Sequence, residues 1–221
     1  MNSLSDIVTT LFGENTQTVD IIILLTILTL LPSIVLMLTG FTRIIIVLSF
    51  VRNALGMQQT PPNQVLIGLA LFLTLFVMSP VLSKVHDEAY TPFTQGEITQ
   101  DEFIERAMAP TRDYMFDQVF DTDLEFFVGL SGQEFEDEAA IPNSVLIPAY
   151  LTSEIKHAFW VGFLIYIPFI VIDMVVASTL MAMGMMMLPP AMISLPFKVL
   201  LFVLVDGWQL IIGALMTTFN L

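Results

Sequence analysis

Four apolar stretches dominate the chain: Ile21 to Thr39, Val65 to Ser83, Ala158 to about Leu188, and Leu195 to Phe219. A helix rises 1.5 Å per residue, so about 20 residues cross a hydrocarbon core about 30 Å thick. Each stretch reaches that length. The expectation is an all-α membrane protein with four transmembrane helices. Composition agrees, with 56% hydrophobic and only 13% charged residues, against about 25% charged in soluble domains.

Turn chemistry arranges the stretches as two long helical hairpins. In "QQTPPNQVL", Thr60 is placed to cap and Pro61 to take the first helical position, so the chain up to Gly56 folds back against the helix from Val65. The second hairpin sets Ala158 to Leu188 against Leu195 to Phe219, turned at "LPPAMISLP". Between them lies an acidic insert. From His86 to Ala140 there are fifteen acids against two arginines, Arg106 and Arg112, out of a net charge of −14. Such a segment repels phosphates, which excludes nucleic acid as a partner.

Inside the insert, Thr99 and Glu102 stand at capping-box spacing ahead of Phe103, Ile104 and Ala107. Pro110 is read as starting a second helix and Asp123 as capping a third, with "SGQEFEDEAAIPN" as a loop. The insert therefore reads as a small helical soluble domain. Boundaries follow at residues 1–83 for the N-terminal segment and first hairpin, 84–154 for the acidic domain, and 155–221 for the second hairpin. The distribution of Arg43, Arg52 and Lys198 against Lys84 and Lys156 puts the N-terminus, the acidic domain and the C-terminus outside.

Charges within apolar sequence carry the next layer. Arg43 and Arg52 lie nine positions apart, which puts them on opposite faces of one helix; both then need protein partners rather than one wet face. Asp173, Lys198 and Asp206 are carboxylates and an ammonium inside apolar helices. Each either ties helices together or lines a conducting path, and Asp206 with Trp208 also fits an interfacial anchor. Glu154 and His157 share the E-x-x-H spacing of di-iron bundles, but such bundles need a second pair and two further glutamates. Glu154 reads instead as a helix-start acid or as an ion-pair partner for a base such as Lys198. No metal site, cofactor site or catalytic constellation is expected, and the chain is not read as an enzyme.

"MAMGMMMLPP" is the most unusual stretch. Met181, Met183, Met185, Met186 and Met187 crowd seven residues interrupted by Gly184 and stopped by Pro189 and Pro190. Thioether side chains are flexible and re-pack around whatever they touch. If several copies ring an axis, the cluster forms a constriction that closes by dewetting and parts for a polypeptide. The plain alternative is packing in a scaffold.

Two blocks, "TRIIIVLSFVRNALGMQQTPPNQVLIGLALFLTLFVMSPV" (Thr42 to Val81) and "MGMMMLPPAMISLPFKVLLFVLVDGWQLIIG" (Met183 to Gly213), resemble the FliP family, main subunits of the flagellar type III secretion export gate. The resemblance implies a pentameric ring or helical cone of hairpins with FliQ and FliR around a central pore, with FlhB and FlhA nearby at the flagellar basal body. It implies an inner-membrane, multi-pass protein with the acidic domain in the periplasm, lipid around it and unfolded export substrates in the pore. The family's methionine gate falls on Met185, Met186 and Met187. Relatives generally begin with a cleaved signal sequence, whereas "MNSLSDIVTTLFGENTQTVD" lacks the basic and apolar regions of one. An injectisome gate subunit, and an ion- or proton-coupled secondary transporter titrating Asp173 and Lys198, are the alternatives.

Overall fold

The computed structural model describes residues 16–185 and 187–219, and every regular element among them is helical. The chain divides into two units, residues 1–38 and 39–221. The first contains helix α1 (Thr16–Met37), in which Thr26 and Thr29 donate their hydroxyls back to the carbonyls of Ile22 and Leu25. This back-bonding keeps each hydroxyl satisfied within an apolar helix.

The second unit opens with α2 (Phe41–Ala54) and α3 (Asn63–Val85), which pack on each other across a short turn. Pro62, not Thr60, is the residue ahead of α3, and the Thr60–Pro61 peptide is cis. A π turn at His86–Tyr90 carries α3 into the short α4 (Thr91–Thr94). The acidic segment then forms α5 (Gln100–Gln118) and α6 (Asp121–Ser131). After a single 3-10 turn at Glu138–Ala140, the remaining helices are α7 (Asn143–Ala182), α8 (Pro190–Leu204) and α9 (Gly207–Met216).

In the acidic segment the capping box forms as expected. The Glu102 amide donates to Thr99 Oγ at 3.4 Å and the Thr99 amide to Glu102 Oε2 at 2.8 Å, and the Thr99 bonds hold the Glu102 carboxyl below its usual range. Two expectations need correction. Pro110 lies inside α5 and starts nothing. Asp123 is not a cap: it is buried within α6, where it accepts a hydrogen bond from the Ser153 hydroxyl at 2.7 Å and pairs with Lys156, stapling α6 to α7. Arg112 fixes the loop before α7, donating to the Ile141 carbonyl at 2.8 Å and to the Asn143 side chain.

The expected second hairpin arm from Ala158 is longer than its apolar stretch. Helix α7 starts at Asn143 and runs unbroken through 40 residues, about 60 Å at 1.5 Å per residue. That is twice a hydrocarbon core, so α7 is longer than one crossing needs. In this second unit, Asn63–Thr94 and Asn143–Ala182 are long and apolar enough to cross a membrane, and α8 with α9 is a third if a pair bent by 67° counts as one span. The stretch Leu195 to Phe219 is thus not one straight helix. It breaks at Asp206, whose φ of +49° lies in the left-handed region, a conformation that costs a side-chain-bearing residue energy and ends a helix.

Helices α2 and α7 run side by side in the same direction, as their contacts advance together: Arg43 meets Glu154, Phe50 meets Phe159 and Tyr166, and Val51 and Ala54 share a cluster with Phe169. Gly162 makes this approach possible, because a Cβ there would lie 2.5 Å from the Phe50 ring. Gly162→Ala is expected to lower stability by about 1–3 kcal/mol through overpacking. Gly68→Ala, where an added Cβ would meet no packed neighbour within 4 Å, serves as the control. Thermal unfolding of the purified variants separates the two, and equal melting would contradict the packing account.

Candidate functional site

The methionine turn is built by backbone geometry. At the end of α7 the Met185 amide donates to the Leu180 carbonyl at 2.9 Å and the Gly184 amide to the Met181 carbonyl at 3.0 Å. With Gly184 at φ +74°, this is the Schellman stop, which wants glycine at that position. Pro189 and Pro190 then open α8, Pro190 standing in the first turn where a missing N–H is harmless. On this frame Met181, Met183, Met185 and Met187 are 59, 60, 47 and 98% exposed. Met186 lies outside the described residues. These four methionines therefore contribute exposed apolar area and not core packing.

Below the turn a charge cluster ties three helices. Lys198 Nζ lies 2.6 Å from Asp173 Oδ2 and donates to the Ala54 carbonyl at 3.2 Å. Ser194, one helical turn before Lys198, donates its hydroxyl to Asp173 Oδ1 at 2.5 Å. The Ala54 carbonyl belongs to the C-terminal end of α2, where helix carbonyls lack partners and attract cations. The cluster holds the start of α8 to α7 and to the end of α2.

A second ion pair sits at the other end of α2. Arg43 and Glu154 are both fully buried. Arg43 Nε donates to Glu154 Oε2 at 3.1 Å and a terminal nitrogen to Glu154 Oε1. The remaining donors reach the Gln118 side-chain oxygen at 3.1 Å and the Thr218 carbonyl at 2.6 Å, and the guanidinium stands 4.2 Å from the Phe219 ring centroid. Burial, and then the nearby Glu154 carboxylate, push the Tyr114 hydroxyl of α5 well above its usual range. Glu154 is therefore an ion-pair partner, as one of its two readings expected, but of Arg43 and not of Lys198, and it stands inside α7 and not at a helix start. Its E-x-x-H neighbour His157 stacks on Phe120 at 4.0 Å.

Arg52 and Asp206 are not brought into either cluster. Arg52 is half-buried and donates to the Asn63 side chain and, at 3.4 Å, to the Pro61 carbonyl. Asp206 is exposed at the break between α8 and α9. Its neighbour Trp208 packs edge-on against Phe202, with ring centroids 5.3 Å apart, on the cluster of Val51, Leu55, Phe169 and Ile211.

The sequence model of the FliP family matches residues 24–215. The chain belongs to the FliP family. Flagellar biosynthetic protein FliP of Pectobacterium carotovorum subsp. carotovorum is 58% identical over 92% of this chain and 80% of its own length. FliP of Bacillus subtilis (strain 168) is 49% identical over 99% of this chain and its own full length. FliP of Aquifex aeolicus (strain VF5) is 44% identical over 94% of this chain and 88% of its own. Both blocks that carry the resemblance lie within the matched residues.

The structure of this FliP-family chain adds residues that pattern reading passes over. Ser194 stands four positions before Lys198 on one helix face, a spacing that could have flagged it. Gln118, Thr218 and Phe219 carry no such signal, since they reach Arg43 from remote parts of the sequence. Met192, 72% exposed on the first turn of α8, extends the methionine surface past the prolines.

Proposed function

We propose that several copies of this FliP-family chain assemble into the pore of the flagellar protein export apparatus, and that the methionine turn of each copy supplies its constriction. One observation carries the reading: Met181, Met183, Met185 and Met187 stay exposed on a turn that a glycine stop and two prolines hold in place. A surface that is apolar and flexible in its side chains suits a plug that dewets when closed and re-packs around a moving chain. The Asp173–Lys198 cluster braces that turn at its base. In this reading the assembly is a ring or helical cone, five copies in the simplest form, with FliQ and FliR completing the gate and FlhB and FlhA beside it. It sits in the bacterial inner membrane with the acidic segment on the periplasmic side, passes unfolded substrates, and catalyses no reaction.

Replacing Met185, Met186 and Met187 together with alanine in the complex assembled with its partners is expected to raise the ion conductance of planar bilayers well above that of the parent complex. Unchanged conductance in a complex of normal mass overturns the gate.

A further inference from the structure

Apart from Lys84 and Lys156, which border the acidic segment, the apolar helices α2, α3, α7, α8 and α9, with the break between the last two, hold three bases and three acids. Two pairs close inside the chain, Arg43 with Glu154 and Lys198 with Asp173. Arg52 and Asp206 remain, and neither has an ionic partner among the described residues. Arg52 is held by neutral oxygens of Asn63 and Pro61, and its buried Nε has no hydrogen-bond acceptor. Asp206 makes no side-chain cap to the helix it precedes, and around it Val203, Leu204, Val205 and Leu210 are 66, 72, 48 and 64% exposed. A carboxylate in the middle of an exposed apolar surface is costly once that surface is covered, unless the covering surface brings a cation.

The two charges lie between the same pair of interhelix contacts. Helices α8 and α9 return antiparallel to α2: Lys198 touches the carbonyl of Ala54 and Thr218 touches Arg43. Asp206 falls between those two contacts on the returning path and Arg52 falls between them on α2. The packing agrees, since Phe202 and Ile211, which bracket Asp206, share one cluster with Val51 and Leu55, which bracket Arg52. Within one chain the two charges do not meet.

We infer that Arg52 of one copy forms an ion pair with Asp206 of the next copy of this chain. The inference rests on the proposed assembly of several copies and names the contact that builds it. Repeated head-to-tail, the pair generates a closed ring or a helical stack. An unpaired charge on each face also disfavours wrong neighbours, whose apolar surfaces would leave it buried and uncompensated.

The chain has no cysteine, so introduced thiols report contacts directly. Asn53→Cys in one tagged copy and Val205→Cys in a differently tagged copy leave both charges in place, and both positions are exposed. Co-expressed in membranes with the partner subunits and treated with a short bifunctional maleimide, the two are expected to give a mixed-tag dimer. Arg52→Asp or Asp206→Arg alone is expected to cut recovery of the assembled complex on the order of tenfold, about 1.4 kcal/mol or more of lost association energy, and the double swap to restore it. A complex of normal mass with no mixed-tag product, or Val205→Cys linked only to a different subunit, overturns the pairing while leaving the assembly standing. If the parent chain forms no multimer, the proposed function falls instead.

Discussion

Arg43→Ala destabilises the folded protein by about 3–5 kcal/mol, the cost of leaving one member of a buried ion pair without its partner. Glu154 is fully buried, so with Arg43 gone its carboxylate loses the two guanidinium donors that offset its lost hydration. The alanine also strips the Thr218 carbonyl and the Phe219 ring of the guanidinium that holds them, so the end of the chain loses its seat beside Gly40, where a Cβ would lie 2.6 Å from Phe219. The sign of the effect separates breaking a pair from replacing it. Arg43→Met with Glu154→Leu, which removes both charges at similar volume, is expected to recover most of the stability. Thermal unfolding of the purified protein, read against the parent, measures this. A single variant that melts like the parent, or a double variant worse than either single, would show that the pair does not carry the fold.

The fold class was legible because apolar stretches of about 20 residues in a chain so poor in charge have few alternatives. So was the capping box, a rule that operates within four residues. What escaped the sequence depended on tertiary partners. Pro110 looks like a helix start, yet it is buried at the packed face of α5 and the helix continues through it. Asp123 has the residue type of a cap, but Ser153 and Lys156 of another helix claim its oxygens. Ala158 begins the apolar stretch while Asn143 begins the helix, because hydrophobicity marks where lipid or core starts and says nothing of where hydrogen bonding starts. The pairing of four buried or half-buried charges was the most ambiguous. Lys198 is the nearer base to Glu154 in sequence, and only the parallel course of α2 and α7 delivers Arg43 there and leaves Lys198 to Asp173. The methionine turn was readable from composition and from its glycine and prolines. Its extension to Met192 was hidden by the double proline, which looks like the end of the motif and is the beginning of α8.

Asp173→Ala is expected to cost more than Lys198→Met, although the two remove the same ion pair. Lys198 is 6% exposed as a whole residue, while the Asp173 side chain is 40% exposed. Removing the carboxylate strands the ammonium against the single Ala54 carbonyl, a penalty of about 3 kcal/mol at the low end of the range for broken buried pairs. Removing the ammonium leaves Asp173 with the Ser194 hydroxyl and with solvent, so water screens most of the loss. The damage also differs in place. Without Asp173 the start of α8 loses both its tie to α7 and the acceptor of Ser194, so the turn from Met181 to Pro190 loses its brace even where the rest of the chain stays folded. Asp173→Asn keeps an acceptor for Ser194 and should fall between the two. Unfolding temperature of the purified protein together with swimming of a flagellated host carrying each variant gives the test: the order Asp173→Ala, Asp173→Asn, Lys198→Met from worst to mildest is expected in both. The reverse order would mean that the ammonium, not the carboxylate, is the group placed for function.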